Sequence, residues 1–365
     1  MSKDFFEKPF DEDTTIKLEM YSDYLRKWIP VFLAKEIPFV FTINIFDFFA
    51  GVGYDSIDNP GSPILAIKAL MEYPELLKRK DIVVNLYFND CNENYCKRLN
   101  DNINQLDFDK SNIKIKILNK DFNIAFDELY PKMNKAANLI FLDQFGVKYI
   151  DKVFFQKLIS ITFTDILFFI SSSTFKRFSQ EESIKKIIGI DPEIVKETPS
   201  SQIHQLVTKT YNSFIPEEHS YCLAPFSIKK GSNIYGLIFG SGHPLGVEKF
   251  LEVCWKKDET TGTANFDIEG TGIDTNSPFL FAEMNVSKKI DYFQKELKDL
   301  ILDGTLKSDL EIYVFMINNG FLGQHVKPII TELKKDNKIT LKHPSFKCST
   351  VWNTKKREPK KITLL

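Results

Sequence analysis

The sequence predicts an α/β protein in which a mostly parallel, doubly wound sheet follows an N-terminal helix and precedes a winged-helix module. Apolar segments recur at 43–47, 81–88, 113–118 and 138–142, and stretches of helical periodicity separate them. Each apolar segment ends in polar or glycine-rich residues, as strands do at the carboxyl edge of a parallel sheet. The charge distribution then sets residues 287–365 apart from the rest of the chain.

The first apolar segment ends in Asp47 and continues into a loop that contains Phe49, Ala50, Gly51 and Gly53. Glycines lack a Cβ atom, so they adopt positive φ and let the backbone pass close to a ligand. The spacing differs from the dinucleotide fingerprint Gly-x-Gly-x-x-Gly. An acid ahead of the glycines suits a cofactor with a cationic amino-acid part, such as S-adenosylmethionine (SAM). An ordinary strand-to-helix turn is the alternative for a lone Gly-x-Gly.

The next two strands also end in acids. The second ends at Asp90, where a carboxylate in this kind of sheet holds ribose hydroxyls. The third ends at Asp121 and Phe122, which suit an adenine through its amino group and its ring face. Each acid taken alone is also a good helix N-cap. Because all of them follow successive strands, the pattern favours a cofactor site with Asp47, Asp90, Asp121 and Phe122.

The fourth strand ends in Asp143-Gln144-Phe145-Gly146. Enzymes that methylate exocyclic amino groups of bases have a similar loop, Asp/Asn/Ser-Pro-Pro-aromatic, after this strand. We predict that Asp143 accepts a hydrogen bond from the amino group and that Phe145 stacks on the base. Gln144 cannot supply the fixed φ of proline, so the loop differs from that pattern. The alternative is a strand-end turn without catalytic residues.

Two further elements are predicted to belong to the sheet domain. Residues 14–29 form an amphipathic helix with Tyr21, Tyr24 and Trp28 on one face, which Pro30 ends. Such a stripe usually packs against the core, and a contact between Lys17 and the cofactor or a phosphate is the alternative. A hairpin of residues 219–228 and 233–239 adds an antiparallel edge to the sheet.

Composition agrees with a globular enzyme. The chain has 365 residues, of which 43% are hydrophobic and 27% are charged. The five cysteines form no Cys-x-x-Cys pair, so neither a disulfide framework nor a metal site is expected. No apolar run is long enough to span a membrane, and the N-terminus lacks an apolar signal core. We expect a cytoplasmic protein without membrane contacts.

The C-terminal part is basic. Residues 287–365 contain 16 Lys and Arg against 9 Asp and Glu, a net charge of +7, and since the whole chain carries −1, residues 1–286 carry −8. Helices are predicted at 288–302, 309–319 and 325–336, and a hairpin is predicted from 338–342 and 348–352. This order is typical of a winged helix, which places its last helix in a nucleic-acid groove or contacts a protein. The tail Lys355–Lys361 would add phosphate contacts.

These features divide the chain into an N-terminal helical segment (1–40), a SAM-dependent methyltransferase-like domain with a Rossmann-like sheet (41–286), and a winged-helix domain with a basic tail (287–365).

Several motifs together resemble the three-Cys-motif partner proteins, a bacterial family of SAM-dependent methyltransferase-like proteins. They are Thr15-x-Lys17, Phe46-Asp-Phe-Phe-Ala-Gly-Val-Gly53, Gly61-Ser-Pro63, Asp121-Phe122, Asp143-Gln-Phe-Gly146 and Phe239-Gly-Ser-Gly-His-Pro-Leu-Gly246. The resemblance covers nearly the whole chain, although the family has Asp-Pro-Phe-Gly at 143–146. It implies a methyltransferase core, SAM as the cofactor, and a partner with a three-cysteine motif that looks like a radical-SAM protein.

Two functions therefore remain from the sequence. The first is a SAM-dependent methyltransferase acting on a base amino group of DNA or RNA. The second is a non-catalytic protein of the same fold that recruits a partner or nucleic acid, for example in phage defence or on a mobile element. An enzyme acting on a small molecule or a protein would leave the basic C-terminus unexplained.

Overall fold

The computed structural model describes residues 5–109, 112–143, 150–178, 189–230, 233–273, 286–352 and 357–365. The chain forms two compact units, Met1–His243 (unit 1) and Pro244–Leu365 (unit 2). The domain boundaries at 40/41 and 286/287 stay predictions.

Unit 1 is built on a seven-stranded sheet with the order β3-β2-β1-β4-β5-β7-β6. The strands are β1 Thr42–Asp47, β2 Val83–Asp90, β3 Ile113–Asn119, β4 Ala137–Leu142, β5 Thr164–Ser171, β6 Cys222–Lys230 and β7 Asn233–Ser241. The first five strands are parallel, and β7 runs antiparallel between β5 and β6. The predicted α/β sheet and its hairpin edge are thus confirmed. The strand order reverses between β1 and β4, where sheets of this kind bind ligands.

Helices cover the sheet and connect its parallel strands. They are α1 Glu12–Leu33, α2 Ser62–Met71, α3 Pro74–Leu77, α4 Glu93–Asn104, α5 Phe122–Met133, α6 Lys152–Ile159, α7 Ser172–Phe178, α8 Pro192–Glu197 and α9 Ile203–Ser213. Polar side chains cap several of them: Asn92 begins α4, Asp121 begins α5 and Asp151 begins α6, each accepting from backbone N–H groups of the first turn.

Helix α1 is longer than predicted, because Pro30 lies inside it instead of ending it. Proline has no N–H to donate to the Arg26 carbonyl, which would leave that acceptor without its helical partner. The Tyr73 hydroxyl donates to the Arg26 carbonyl at 2.6 Å. The ladder then resumes, with Ala34 N–H donating to the Pro30 carbonyl at 3.0 Å. A contact from a distant segment thus lets the helix pass through the proline.

Polar side chains cross the sheet in register. Asn85 on β2 donates to Asn44 on β1 at 2.9 Å, and Asn44 donates to Asn138 on β4 at 3.0 Å. The Asn138 amide in turn lies 3.1 Å from the Thr164 hydroxyl on β5. Asn44 and Asn138 are fully buried, so each needs these partners. We call these four residues the polar ladder.

Unit 2 contains the predicted three helices. Its elements are α10 Pro244–Lys257, α11 Lys288–Leu302, α12 Asp309–Asn318, α13 Gly323–Lys335, β8 Ile339–Thr340, α14 Cys348–Val351 and β9 Thr363–Leu364. Helix α11 has the predicted bounds, and α12 and α13 differ from theirs by one or two residues. Among the described residues of both units, no helix is sufficiently long and apolar to cross a membrane.

The predicted strand at 348–352 is wrong. Cys348 and Val351 are both buried, a spacing that fits one turn of helix, whereas strand alternation would have buried Thr350 and Trp352, which are exposed. The partner of β8 is instead β9, with Ile339 opposite Leu364 and Thr340 opposite Thr363. Residues 363–364, which follow the predicted phosphate-binding tail at 355–361, therefore take the place of 348–352 in the pairing.

Candidate functional site

Three carboxylates meet where β1, β2 and β4 end. Asp47 and Asp90 end the adjacent strands β1 and β2, and Asp143 follows β4 on the other side of β1. They lie close enough for Asp90 and Asp143 each to raise the pKa of Asp47. We call these three residues the acid edge. Three carboxylates close together in a partly buried site favour the binding of a cationic ligand.

Asp47 is the most buried of the three, with 1% of its surface exposed. Its Oδ1 accepts from the Phe49 N–H at 3.1 Å, whereas Oδ2 is buried without a well-formed hydrogen bond among the described residues. Burial raises the pKa of Asp47 to about 7, and the nearby Ser62 hydroxyl and the Phe49 N–H oppose that rise. A buried carboxylate oxygen without a well-formed hydrogen bond is costly, and a ligand donor would relieve that cost.

A second buried polar atom lies close by. The Tyr21 hydroxyl, on α1, has no hydrogen-bond partner among the described residues. Burial first and the charge of Asp47 second hold the pKa of Tyr21 well above its usual value. Its ring stacks on Phe141 of β4, with centroids 4.4 Å apart. Two unsatisfied polar atoms therefore lie at the same end of β1.

Asp90 holds the glycine loop. Its Oδ2 accepts from the Gly51 N–H at 3.1 Å, and its Oδ1 accepts from the Asn92 N–H at 2.9 Å. The carboxyl is half-buried, and burial raises its pKa. Each carboxylate oxygen retains a lone pair for a further donor. Its predicted contact with a ribose stays a prediction.

The glycine loop has the backbone that the sequence predicts. Gly51 and Gly53 have φ values of +61° and +92°, which side chains disfavour. A Cβ on Gly51 would lie 2.2 Å from Cζ of Phe6, whose ring covers the loop. A Cβ on Gly53 would lie 2.9 Å from a methyl of Leu99. Ala50 is buried and donates its N–H to the Asn89 carbonyl at 2.9 Å.

The two residues predicted at the adenine lie in different surroundings. Asp121 is exposed and accepts from the Asn123 N–H at 2.9 Å, as a helix cap does. Phe122 is buried in an aromatic cluster whose other members are Phe48, Phe49, Phe126 and Phe154. Phe49 stacks on it with centroids 5.4 Å apart and is itself half-buried. The assignment of both residues to an adenine stays a prediction.

Asp143 is paired with a lysine. Lys17 Nζ lies 2.5 Å from Asp143 Oδ2, and the two side chains are 6% and 27% exposed. The same ammonium lies 4.5 Å from the centre of the Phe169 ring. Phe145, predicted to stack on the acceptor, lies outside the described residues. Lys17 shares the buried face of α1 with Tyr21, Tyr24 and Trp28. A lysine on an apolar stripe indicates a buried charge that needs a partner, but no local pattern names Asp143 as that partner.

In unit 2, α13 has one apolar and one polar face. Val326, Ile329, Ile330 and Leu333 are buried. The exposed residues of this helix are Gln324, Lys327, Pro328, Thr331, Glu332, Lys334 and Lys335, and we call them the α13 face. In helix-turn-helix folds, this position belongs to the helix that enters a groove of nucleic acid.

The basic tail is tied back to unit 2. Arg357 forms an ion pair with Asp309, which is fully buried, and the Lys360 N–H donates to the same carboxylate at 2.8 Å. The guanidinium of Arg357 is therefore engaged within the unit. Lys360 and Lys361 are exposed.

Comparison with known proteins finds a match to the family model described as "GMT-like wHTH domain", a winged helix-turn-helix, over residues 265–345. None of the curated proteins matches the chain.

Solved structures with a similar chain trace include methyltransferases. Trm1 from Pyrococcus horikoshii with S-adenosyl-L-methionine is 12% identical, with 98% of this chain and 92% of that chain covered and a TM-score of 0.36. The DszA carbon methyltransferase is 11% identical, over 61% and 53% of the two chains, with a TM-score of 0.32. Cofactor-bound Rv0187 from MTB is 8% identical, over 63% and 89%, with a TM-score of 0.31. Scores this low establish neither an activity nor a ligand.

Proposed function

We propose that the chain is a SAM-dependent methyltransferase that binds its cofactor at the acid edge. One observation carries the proposal: Asp47 ends β1 fully buried, and its Oδ2 lacks a well-formed hydrogen bond among the described residues. The site lies where the strand order reverses, which is the usual ligand position in open α/β sheets.

The residues present fit this cofactor. When bound, SAM supplies an activated methyl group on a sulfonium, and its amino-acid end carries an ammonium. In the proposed arrangement Asp47 accepts from the ammonium, Asp90 from the ribose hydroxyls, and Asp121 and Phe122 border the adenine. Three neighbouring carboxylates against one lysine give the site an excess of negative charge, which favours a cationic ligand.

We propose a base amino group in DNA or RNA as the acceptor. In the proposed geometry Asp143 accepts from the amino group and Phe145 stacks on the base. The nitrogen forms its bond to carbon as the carbon–sulfur bond breaks, and the nitrogen then gives up one proton to water. Placing the two reactants in line supplies much of the rate in such a transfer. The net charge of +7 on residues 287–365 supports a nucleic acid.

Among the described residues, no specific observation favours the hypothesis of a non-catalytic recruitment protein or that of a radical-SAM partner. A bound ligand would supply hydrogen-bond partners to two buried atoms that lack them, Asp47 Oδ2 and the Tyr21 hydroxyl. We favour the methyltransferase because Asp143, the carboxylate proposed to bind the acceptor, adjoins the proposed cofactor site at Asp47.

The test is to incubate the full chain with radiolabelled SAM and, separately, total DNA, tRNA and rRNA. We expect the wild-type protein to label one of these pools and Asp47→Asn to label none. Protein that binds S-adenosylhomocysteine (SAH) but labels no pool would contradict the proposed activity and favour recruitment without catalysis.

A further inference from the structure

We infer that Lys17 is a positioning residue for methyl transfer, which it serves by fixing the carboxylate of Asp143. This inference rests on the proposed function. The observation behind it is the ion pair between helix α1 and the end of β4, two elements far apart in the sequence.

The ion pair between Lys17 and Asp143 is well ordered, because two groups of the protein hold the Lys17 ammonium. Its side chain is 6% exposed, and its ammonium contacts both Asp143 Oδ2 at 2.5 Å and the face of the Phe169 ring at 4.5 Å. In an ion pair on the surface, solvent screening and the entropy of the flexible lysine side chain would offset most of the interaction free energy. The burial and the aromatic contact restrict the ammonium to one place, and the carboxylate it holds is restricted with it.

The rest of α1 anchors this geometry. Tyr21, one turn after Lys17, stacks on Phe141 near the end of β4, and the Tyr24 hydroxyl donates to Asp165 on β5 at 2.7 Å. Both aromatic residues are fully buried. Helix α1 therefore brings Lys17 to the carboxyl edge of the sheet by contacts that do not involve the acid edge.

The pair leaves a defined acceptor atom. Lys17 occupies Asp143 Oδ2, and within the described part of the chain no donor reaches Asp143 Oδ1. An incoming amino group would therefore find Oδ1 as its acceptor, at an orientation that the ion pair sets. Because such a contact acts on the acceptor, its loss lowers the rate of transfer much more than the affinity for cofactor.

The experiment measures SAH affinity by calorimetry and methyl transfer from radiolabelled SAM to total DNA and RNA, for wild type, Lys17→Met, Lys17→Arg, Asp143→Ala and the double variant Lys17→Met/Asp143→Ala. Lys17→Met is expected to slow transfer at least about tenfold with SAH affinity within about twofold, and Lys17→Arg to recover part of the rate. The double variant should transfer no more slowly than Asp143→Ala, because Lys17 acts through that residue. Lys27→Met, on the same helix, controls for loss of a lysine.

Three outcomes contradict the inference or its basis, and they are distinguishable. Wild-type rates in Lys17→Met would refute the role of Lys17 alone. A loss of SAH affinity in Lys17→Met would assign the lysine to the cofactor instead of Asp143. Wild-type protein that binds SAH and transfers methyl to neither pool would refute the proposed function itself.

Discussion

Asp47 is an acid placed where an ionised carboxylate is unfavourable. Burial and two neighbouring carboxylates raise its pKa to about 7, compared with an ordinary value of 3.8. Folded protein therefore binds a proton at this residue more tightly than unfolded protein does. The stability that results is fully present below the unfolded pKa and is lost as the pH rises through about 7.

This linkage predicts a pH-dependent difference between wild type and Asp47→Asn in the absence of ligand. From pH 5 to pH 8, the free energy of unfolding of wild type should fall relative to that of the variant by about 2 to 3 kcal/mol. Denaturant unfolding at both pH values measures it. Asp101→Asn serves as a control, because Asp101 is exposed on α4 and is not among the charges that act on Asp47. If the difference in the free energy of unfolding between wild type and Asp47→Asn were the same at pH 5 and pH 8, the raised pKa of Asp47 would be contradicted.

The sequence predicts the position of a residue correctly where that position depends only on its neighbours in the chain. Asp47, Asp90 and the two glycines follow from strand ends and from the φ values that a tight loop requires. The sequence did not predict Phe6 against Gly51 or Lys17 against Asp143, since these pairs come from segments far apart in the chain. Gly51 is thus required by an aromatic ring of the protein, in addition to any ligand.

At the scale of elements, the polar ladder fixes how four strands align. The pairs Asn44–Asn85, Asn44–Asn138 and Asn138–Thr164 are direct partners in the strand registers. A shift of one residue would turn these buried amides to the other face of the sheet and leave them without partners. The ladder therefore stabilises one register over its neighbours.

Asn138→Ala should destabilise unit 1 by about 2 to 4 kcal/mol, because it removes the Asn138 acceptor of the Asn44 amide, which keeps only the Lys132 carbonyl, and the Asn138 donor to the Met133 carbonyl. Chemical denaturation measures the change. Asn104→Ala, at an exposed position on α4, should change stability by no more than about 0.5 kcal/mol. Equal effects of both substitutions would show that the ladder contributes nothing to stability.

The elements that sequence patterns predict correctly are those with strong internal periodicity. The strands β1 to β4 and the helices of the winged-helix module lie within a few residues of their predicted positions. The errors at Pro30 and at 348–352 have a common origin. The Tyr73 hydroxyl lets α1 continue past Pro30, and β9 takes the place beside β8 that was predicted for 348–352. Neither contact leaves a pattern in the local sequence.

For the whole molecule, charge separates the parts of the chain. Residues 1–286 carry −8 and residues 287–365 carry +7. In unit 2 the α13 face carries three lysines and one acid, Glu332, whose charge is paired with Lys298 at 2.5 Å. The position of this face and its charge support binding to phosphates.

We expect unit 2 to bind nucleic acid mainly through phosphates. Affinity for a mixed-sequence duplex should fall steeply as salt rises, and Lys327→Glu/Lys334→Glu should weaken binding and lower the salt slope by about 2. Fluorescence anisotropy at several salt concentrations measures both. The control Lys114→Glu/Lys116→Glu changes the net charge equally on β3 of unit 1 and should leave the slope unchanged. Salt-independent binding, or an unchanged slope in the α13 variant, would argue against this surface.

We propose that the carboxylate of Asp47 receives the cationic end of the cofactor, and calorimetry with SAH tests this claim. Wild type should bind SAH about 20-fold more weakly at pH 5.5 than at pH 7.5, because Asp47, with a pKa of about 7, must lose its proton to accept the ammonium. Asp47→Asn should bind at least about 30-fold more weakly than wild type at pH 7.5, with little change on going to pH 5.5. Equal SAH affinity in wild type and Asp47→Asn at pH 7.5 would contradict the claim.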